Sequence, residues 1–206
     1  MSSASFQVPS SRLGVLMVVS GPSGTGKTTL CRKLCDAGEA IFSISCTTRA
    51  PRAGEVDGKD YFFLGEEEFV RRIEQGEFFE HAEVHGRRYG TLKSFVKENL
   101  LRGVDVMMDI DVQGAGQVRA CLDELVQQCL VQVFVLPPSA EELGQRLMGR
   151  GTESQASVDL RMTNAIAEME HWPAYDYALV SASRESDYER FKALLVGQRM
   201  RCELQR

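Results

Sequence analysis

The sequence predicts an α/β fold: a mostly parallel sheet with helices on both faces and one inserted lobe. Short apolar runs alternate with helical patterns at the start of the chain and again in its second half, the rhythm of strand–helix–strand units. Those runs are continuous rather than alternating, as strands buried on both faces require. Between about residues 46 and 100 the rhythm breaks. Charge increases there, and the aromatic runs Tyr61-Phe62-Phe63 and Phe78-Phe79 appear.

Taken in order, residues 1–11 are rich in Ser and read as a loose tail, leaving 12–206 as the folded unit. Leu13–Val19 is the first strand. A helix is predicted from Lys27 to about Ala37, ended by Gly38. Phe42–Ser45 is a short strand candidate. The core is therefore expected over about 12–45 and 101–206, with the lobe over about 46–100. Val104–Ile110 (VDVMMDI) and Val131–Leu136 (VQVFVL) read as further strands, each followed by a helix-like segment. Pro137 and Pro138 stop the second. Ser139 is then placed to cap a helix, with Glu142 at the capping-box position. The last helix carries Tyr188, Phe191, Leu194 and Leu195 on one stripe.

A chain of 206 residues with 43% hydrophobic and 26% charged residues fits one compact domain with an insertion. The net charge of −5 argues against a nucleic-acid coat or an anionic-membrane binder, so any basic site must be local. The six cysteines show neither CxxC pairing nor zinc spacing. They read as reduced thiols of a cytoplasmic protein. No apolar run approaches the ~20 residues that a membrane span needs. The run Gly14–Val19 is too short for a signal-peptide core and leads straight into a glycine-rich loop.

That loop is Gly21-Pro22-Ser23-Gly24-Thr25-Gly26-Lys27-Thr28. It fits G-x-x-x-x-G-K-[ST] at every fixed position, between a strand and a helix, and so predicts a P-loop NTPase fold. Glycines let the backbone curl until its N–H groups point at phosphate oxygens. The helix N-terminus adds positive partial charge. Lys27 can reach β- and γ-phosphates and Thr28 can ligate Mg²⁺. The motif identifies a nucleoside triphosphate without naming the reaction. Asp109-Ile110-Asp111 ends an apolar strand at the sheet edge where such folds place ligands. Residues two apart on a strand share a face, so both carboxylates are expected in one cleft, close to a metal or its water.

A second anion is implied by SCTTRAPRAGEVDGKDY, residues 45–61. Arg49 and Arg52 stand three apart and repel each other unless an anion lies between them. Arginine forks suit phosphate oxygens, and Ser45, Tyr61 and Tyr89 can add hydroxyl donors. A hydrolase has no use for a second phosphate clamp, whereas a kinase acting on a phosphorylated acceptor requires one. A third basic group comprises Arg146 and Arg150, four apart on a helix beside Gly149 and Gly151, and Arg161 on the next helix. It reads as a lid over about 146–160 that brings positive charge to the transferring phosphate and excludes water.

With these motifs in place, the chain closely resembles guanylate kinases, the ATP:GMP phosphotransferases. The resemblance rests on GPSGTGKTTL (21–30), SISCTTRAPRAGEVDGKDYFF (43–63), FFEHAEVHGRRYGT (78–91), MDIDVQGAGQVR (108–119), RLMGRG (146–151) and the helix from Val158 to Tyr177, and covers about residues 12–200. It implies transfer of the ATP γ-phosphate to GMP with Mg²⁺, in purine nucleotide metabolism and GMP recycling. It also implies that Ser45, Arg49, Arg52, Tyr61 and Tyr89 hold the GMP phosphate, and that Glu80, Thr91 and Asp111 read guanine. Arg146, Arg150 and Arg161 match the lid and catalytic arginines, and Asp109 a residue near the metal. Guanine chemistry agrees: N1–H and the N2 amine suit a carboxylate, which adenine would leave unpaired.

One departure stands out. Many relatives carry Asn-Asp after the strand near Leu179-Val180, where this chain has Ser181-Ala182-Ser183, so contacts to the adenosine are open. Two other readings compete with a guanylate kinase: a non-enzymatic interaction module of the same fold, and a kinase for AMP or dTMP. Retention of Lys27, Thr28 and the lid arginines counters the first, and Glu80 with Asp111 the second.

Overall fold

The computed structural model describes residues 8–84, 86–148 and 155–206. Most of the expected tail, residues 1–7, lies outside them. Ser10 and Ser11 are tied down, both donating backbone N–H to the Arg206 carbonyl at 3.0 and 3.2 Å.

The chain forms two sheets. In the first, β1 (Leu16–Ser20) lies at the centre, and all of its residues are buried. It pairs in parallel with β7 (Val106–Asp109) on one side and β8 (Leu130–Leu136) on the other. The outer strands β2 (Ile41–Phe42) and β9 (Tyr177–Val180) are parallel too, giving the order β2-β7-β1-β8-β9. Burial on both faces accounts for the unbroken apolar runs of the inner strands. The edge strand β9 buries only Leu179. Helix α1 (Lys27–Asp36) packs Leu30, Cys31 and Leu34 into the core, and α8 (Arg184–Arg199) adds Phe191 and Leu195. Helices α3 (Lys93–Leu101), α4 (Val112–Arg119) and α5 (Glu124–Cys129) complete the layer.

The second sheet has the order β4-β3-β6-β5, built from β3 (Ser45–Thr47), β4 (Phe62–Phe63), β5 (Phe78–Val84) and β6 (Arg87–Leu92). With α2 (Glu66–Glu74) it encloses its own cluster of Cys46, Phe69, Phe78 and Leu92. The Phe69 and Phe78 rings stack at 4.5 Å. The single strand expected over Phe42–Ser45 is two strands: Phe42 ends β2 of the first sheet and Ser45 begins β3 of the second. The chain therefore crosses between sheets at Ser43-Ile44. At the other end of the lobe, α3 buries Val96 and Leu100 in the main core.

Strand β5 carries a bulge at Phe79, between the pairs Phe78↔Leu92 and Glu80↔Thr91. Strict alternation would put Glu80 on the face of Phe78. The extra residue turns it onto the face of Thr91. Phe79 itself is buried in the main core, while Phe78 serves the lobe.

Helices α6 (Ala140–Met148) and α7 (Gln155–Met169) pack through Leu143 and Ala165, with Met162 and Met169 beside them. Ser139 caps α6, its Oγ accepting the Glu142 N–H at 3.2 Å. The reciprocal arm of a capping box is not made by Glu142, whose carboxylate pairs with Arg146 at 3.1 Å.

Candidate active site

Helix α1, strand β2 and the C-terminal end of β7 meet the near rim of the second sheet around one cavity of about 790 Å³. Thr28, Asp109, Ser45, Glu55 and Tyr61 all line it.

On the first side, the P-loop turns sharply out of β1. Gly21 adopts φ 143°, and a Cβ there would stand 2.3 Å from the Val135 carbonyl oxygen of β8. Only glycine lets the loop lie so close to the sheet. Gly24 and Gly26 also have positive φ, and Gly26 opens α1 without a side-chain cap. The helix N-terminus thus keeps N–H groups directed outward. Lys27 folds back over the loop, with Nζ 3.4 Å from the Pro22 carbonyl oxygen. The Thr28 hydroxyl donates to Oδ2 of Asp109. Burial pushes the Asp109 carboxyl above its ordinary range, and the Thr28 hydroxyl and Lys27 draw it part of the way back. Two hard oxygens, a hydroxyl and a carboxylate, therefore sit at the phosphate end of the loop. Among the described residues no cluster of three or more metal-binding side chains occurs. A donor set of this size suits a Mg²⁺ ion that takes its remaining ligands from phosphate and water.

Asp111 does not share the strand with Asp109. Strand β7 ends at Asp109, and Asp111 is the N-cap of α4, its Oδ1 accepting the Gly114 N–H at 2.8 Å. The chain turn, rather than strand alternation, brings it toward Glu80. A Cβ on Gly114 would lie 3.4 Å from Cγ of Glu80 and 3.5 Å from Oδ1 of Asp111. This glycine is the close contact between α4 and β5 that brings the two carboxylates to one place.

On the second side, strand register does the positioning. Ser45, Thr91 and Glu80 are directly paired across β3, β6 and β5, so their side chains share one face. Tyr89, two residues before Thr91 on β6, lies on that face too. The Thr91 hydroxyl donates to Oε1 of Glu80 at 2.8 Å. Glu80 is only 8% exposed. Burial raises its pKa, the Thr91 hydrogen bond lowers it and Asp111 raises it further.

Arg49 lies beyond that row, its guanidinium 5.4 Å from the Tyr61 ring centroid, and Tyr61 meets Tyr89 edge-on at 6.1 Å. Between Arg49 and Arg52 stands a carboxylate from the chain itself. Glu55 accepts from Nη1 and Nη2 of Arg49 at 2.9 and 2.8 Å and from the Arg52 backbone N–H at 2.7 Å. The anion expected between the two arginines is thus partly built in. The Arg52 side chain is exposed.

Of the expected lid residues, Arg146 donates to Oγ of Ser181 at 3.3 Å and to Glu142 at 3.1 Å. It overhangs a second cavity of about 390 Å³, on the other side of the P-loop, lined also by Gly24, Thr25, Lys33 and Asp187. The departure at Ser181 is integrated here. Its hydroxyl donates to Oδ2 of the buried Asp187 at 2.9 Å, and Asp187 accepts the Ala182 N–H at 2.8 Å. Arg161 is half-buried on α7, one position from Met162 of the small α6–α7 core. Arg150 lies outside the described residues, as does the middle of the expected lid, residues 149–154.

A family model described as guanylate kinase matches residues 14–198. The chain belongs to the guanylate kinase family. It is 46% identical to a guanylate kinase of Novosphingobium aromaticivorans over 92% of this chain and 85% of that protein. It is 47% identical to one of Paramagnetospirillum magneticum over 95% and 90% respectively. Among solved structures it resembles the guanylate kinase of Anaplasma phagocytophilum, with a TM-score of 0.71 and 34% identity over 95% of this chain and 91% of that one.

Within this guanylate kinase framework, three site features escape a reading of motifs. Glu55 was detectable in principle, because Arg49, Arg52 and Glu55 keep an R-x-x-R-x-x-E spacing. Gly114 carries no local signal, since its role is set by a contact with another strand. Glu168, half-buried on α7, has its pKa raised by burial, with Lys27 lowering it and Asp111 raising it. It lies on a helix, over fifty residues from Asp111 in sequence.

Proposed function

We propose that this chain transfers the γ-phosphate of ATP to GMP, giving ADP and GDP. One observation carries the reading: Thr28 and Asp109 of the donor side and Ser45 and Tyr61 of the acceptor side line a single cavity. Donor and acceptor phosphates can then meet without leaving the protein. Lys27 and the P-loop N–H groups hold the β- and γ-phosphates, while Arg49, Arg52, Ser45, Tyr61 and Tyr89 hold the phosphate of GMP. Glu80 and Asp111 accept from the N1–H and N2 amine of guanine. Thr91 orients Glu80 and is within reach of the base. An oxygen of the GMP phosphate attacks the γ-phosphorus, and the bond from that phosphorus to the β–γ bridging oxygen breaks, releasing ADP. Both reactants are anions, so the first task of the site is to cancel their repulsion and align them. Arg146, Arg150 and Arg161 supply that charge from the lid side.

Mg²⁺ is the metal we assign, held through Thr28 with Asp109 acting directly or through water; when bound it neutralises the β- and γ-phosphate oxygens. The cavity over Arg146 and Ser181 is our assignment for the adenosine of ATP. We place the protein in the cytoplasm, where its six free thiols are chemically at home. Among the described residues no helix is long and apolar enough to cross a membrane.

A coupled ADP-release assay with ATP, Mg²⁺ and each of GMP, AMP, UMP and dTMP tests the assignment. GMP is expected to be the strong acceptor. No GMP-dependent signal would overturn the kinase reading, and an equal signal with AMP would overturn the reading of guanine.

A further inference from the structure

We infer that Glu55 is a positioning residue for acceptor binding: it grips the Arg49 guanidinium by its Nη1/Nη2 end, so that the Nε/Nη2 side is presented to the acceptor phosphate. The inference rests on the reading of Arg49 as a phosphate clamp.

A guanidinium has five N–H bonds in a fixed plane. In Arg49, Nη1 donates to Glu55 at 2.9 Å and to the Ala50 carbonyl at 2.8 Å, and Nη2 donates to Glu55 at 2.8 Å. Three of the five point at Glu55 and Ala50 oxygens, and Tyr89, another residue of the clamp, also interacts with the guanidinium; Nε–H and one Nη2–H remain on the acceptor side. Those two lie side by side on one edge and form a fork of their own, matched to two oxygens of a phosphate. Glu55 therefore does not exclude the ligand from Arg49. It determines which edge the ligand meets.

The face of the guanidinium is fixed as well as its end. Tyr61 lies 5.4 Å and Phe63 5.9 Å from its central carbon. Glu55 is itself held by the loop. Its carboxylate accepts the Arg52 N–H at 2.7 Å, and its own N–H donates to the Arg52 carbonyl at 3.1 Å. Gly54, at φ 89°, allows the turn that brings Glu55 back under Arg49. Arg49 draws the Glu55 carboxyl below its usual range, and Glu55 in turn raises Arg49, so the pair stays charged. Glu55 and Tyr61, the two partners of the Arg49 guanidinium, both line the cavity shared with Thr28. Holding a long side chain in its working rotamer before the ligand arrives removes an ordering cost from binding.

The test compares Glu55→Gln, Arg49→Ala and the double variant. The readouts are calorimetric titration with GMP and with guanosine, GMP and ATP KM, and melting temperature. Glu55→Gln is expected to weaken GMP binding about tenfold, the effect of losing one charge-assisted contact behind the clamp. Guanosine, which has no phosphate, and the KM for ATP should change less than twofold. In the Arg49→Ala background the same substitution should add nothing, because Glu55 acts through Arg49. An equal loss in both backgrounds, or an equal loss for guanosine, would show that Glu55 only folds the loop and would overturn the inference. Tighter GMP binding by Glu55→Gln would also overturn it, since the carboxylate would then be a competitor of the phosphate. If Arg49→Ala leaves GMP affinity intact, the clamp reading itself falls. If Arg49→Ala weakens GMP and Glu55→Gln does not, only the role of Glu55 falls.

Discussion

A carboxylate that accepts from N1–H and an amine must be ionised when the base arrives, and Glu80 is buried where ionisation is unfavourable. The Thr91 hydroxyl and the Thr91 backbone offset part of that cost, and the hydroxyl also aims Oε1. Glu80→Gln replaces an acceptor by a donor that faces the donors of guanine. The cost of one unpaired buried polar group is about 1–3 kcal/mol, or about 5- to 150-fold in the KM for GMP. Because burial raises the Glu80 pKa, its proton is taken up at a higher pH than an ordinary glutamate would require. GMP affinity should therefore fall on acidification earlier than for an exposed carboxylate, and the Glu80→Gln profile should lack that limb. A pH series of GMP KM at saturating ATP checks both, and an unchanged limb in the variant would exclude Glu80 as the titrating group. At this scale the sequence was most legible where a motif fixes chemistry, as in Lys27 and Thr28. It was least legible where the partner lies far along the chain, as in Gly114 against Glu80, or where a charge is satisfied internally, as in Arg49 and Glu55.

The bulge at Phe79 shows why elements could be anticipated better than their edges. The run Phe78-Phe79 signals a buried strand, but nothing local says that its two rings enter different cores. The reversal that turns Glu80 toward the cleft follows from that division, since each ring is drawn into a separate apolar environment. The run Phe42–Ser45 misleads for a related reason, since two short strands in different sheets are contiguous in sequence. Gly90 of β6 fits against the bulge. A Cβ there would stand 2.8 Å from the Glu80 carbonyl oxygen, 3.0 Å from the Phe78 ring and 3.1 Å from Cβ of His81. Its φ is not in the left-handed region, so the constraint is space rather than backbone conformation. Gly90→Ala should thus behave as an overpacking substitution of about 1–3 kcal/mol. The shift it forces falls on Glu80, so the KM for GMP should rise several-fold while the KM for ATP stays within about twofold. Thermal melting with paired KM measurements tests this, and equal changes in both KM values would place the damage outside the bulge.

Across the whole molecule, chemistry and cohesion occupy opposite ends of the first sheet. The P-loop, Asp109 and Asp111 follow the C-terminal ends of β1 and β7, as expected for ligands of a parallel sheet. At the N-terminal end, Asp105 sits just before β7 with its side chain 1% exposed. It accepts from Nη1 and Nη2 of Arg12 at 2.7 and 3.0 Å, from the Val15 N–H at 2.8 Å and from Nε of Arg199 at 2.7 Å. Arg199 continues to Glu39 at 3.0 Å, and Lys192 joins Glu39 at 2.8 Å. One buried carboxylate thereby ties the chain before β1, the start of β7, the end of α1 and the last helix. None of these residues lines either cavity described above. Asp105→Asn keeps the shape but removes the charge that two arginines share, and breaking a buried pair in this way costs about 3–5 kcal/mol. Both arginines retain some access to water, which favours the lower end, about 3 kcal/mol. For a domain of this size that corresponds to a fall of about 10 °C in melting temperature. Below the transition, KM for GMP and ATP should match the parent protein, since the substitution acts on the population of folded molecules and not on the cleft. A variant with normal melting but altered KM would show instead that the two ends of the sheet are coupled through the network around Asp105.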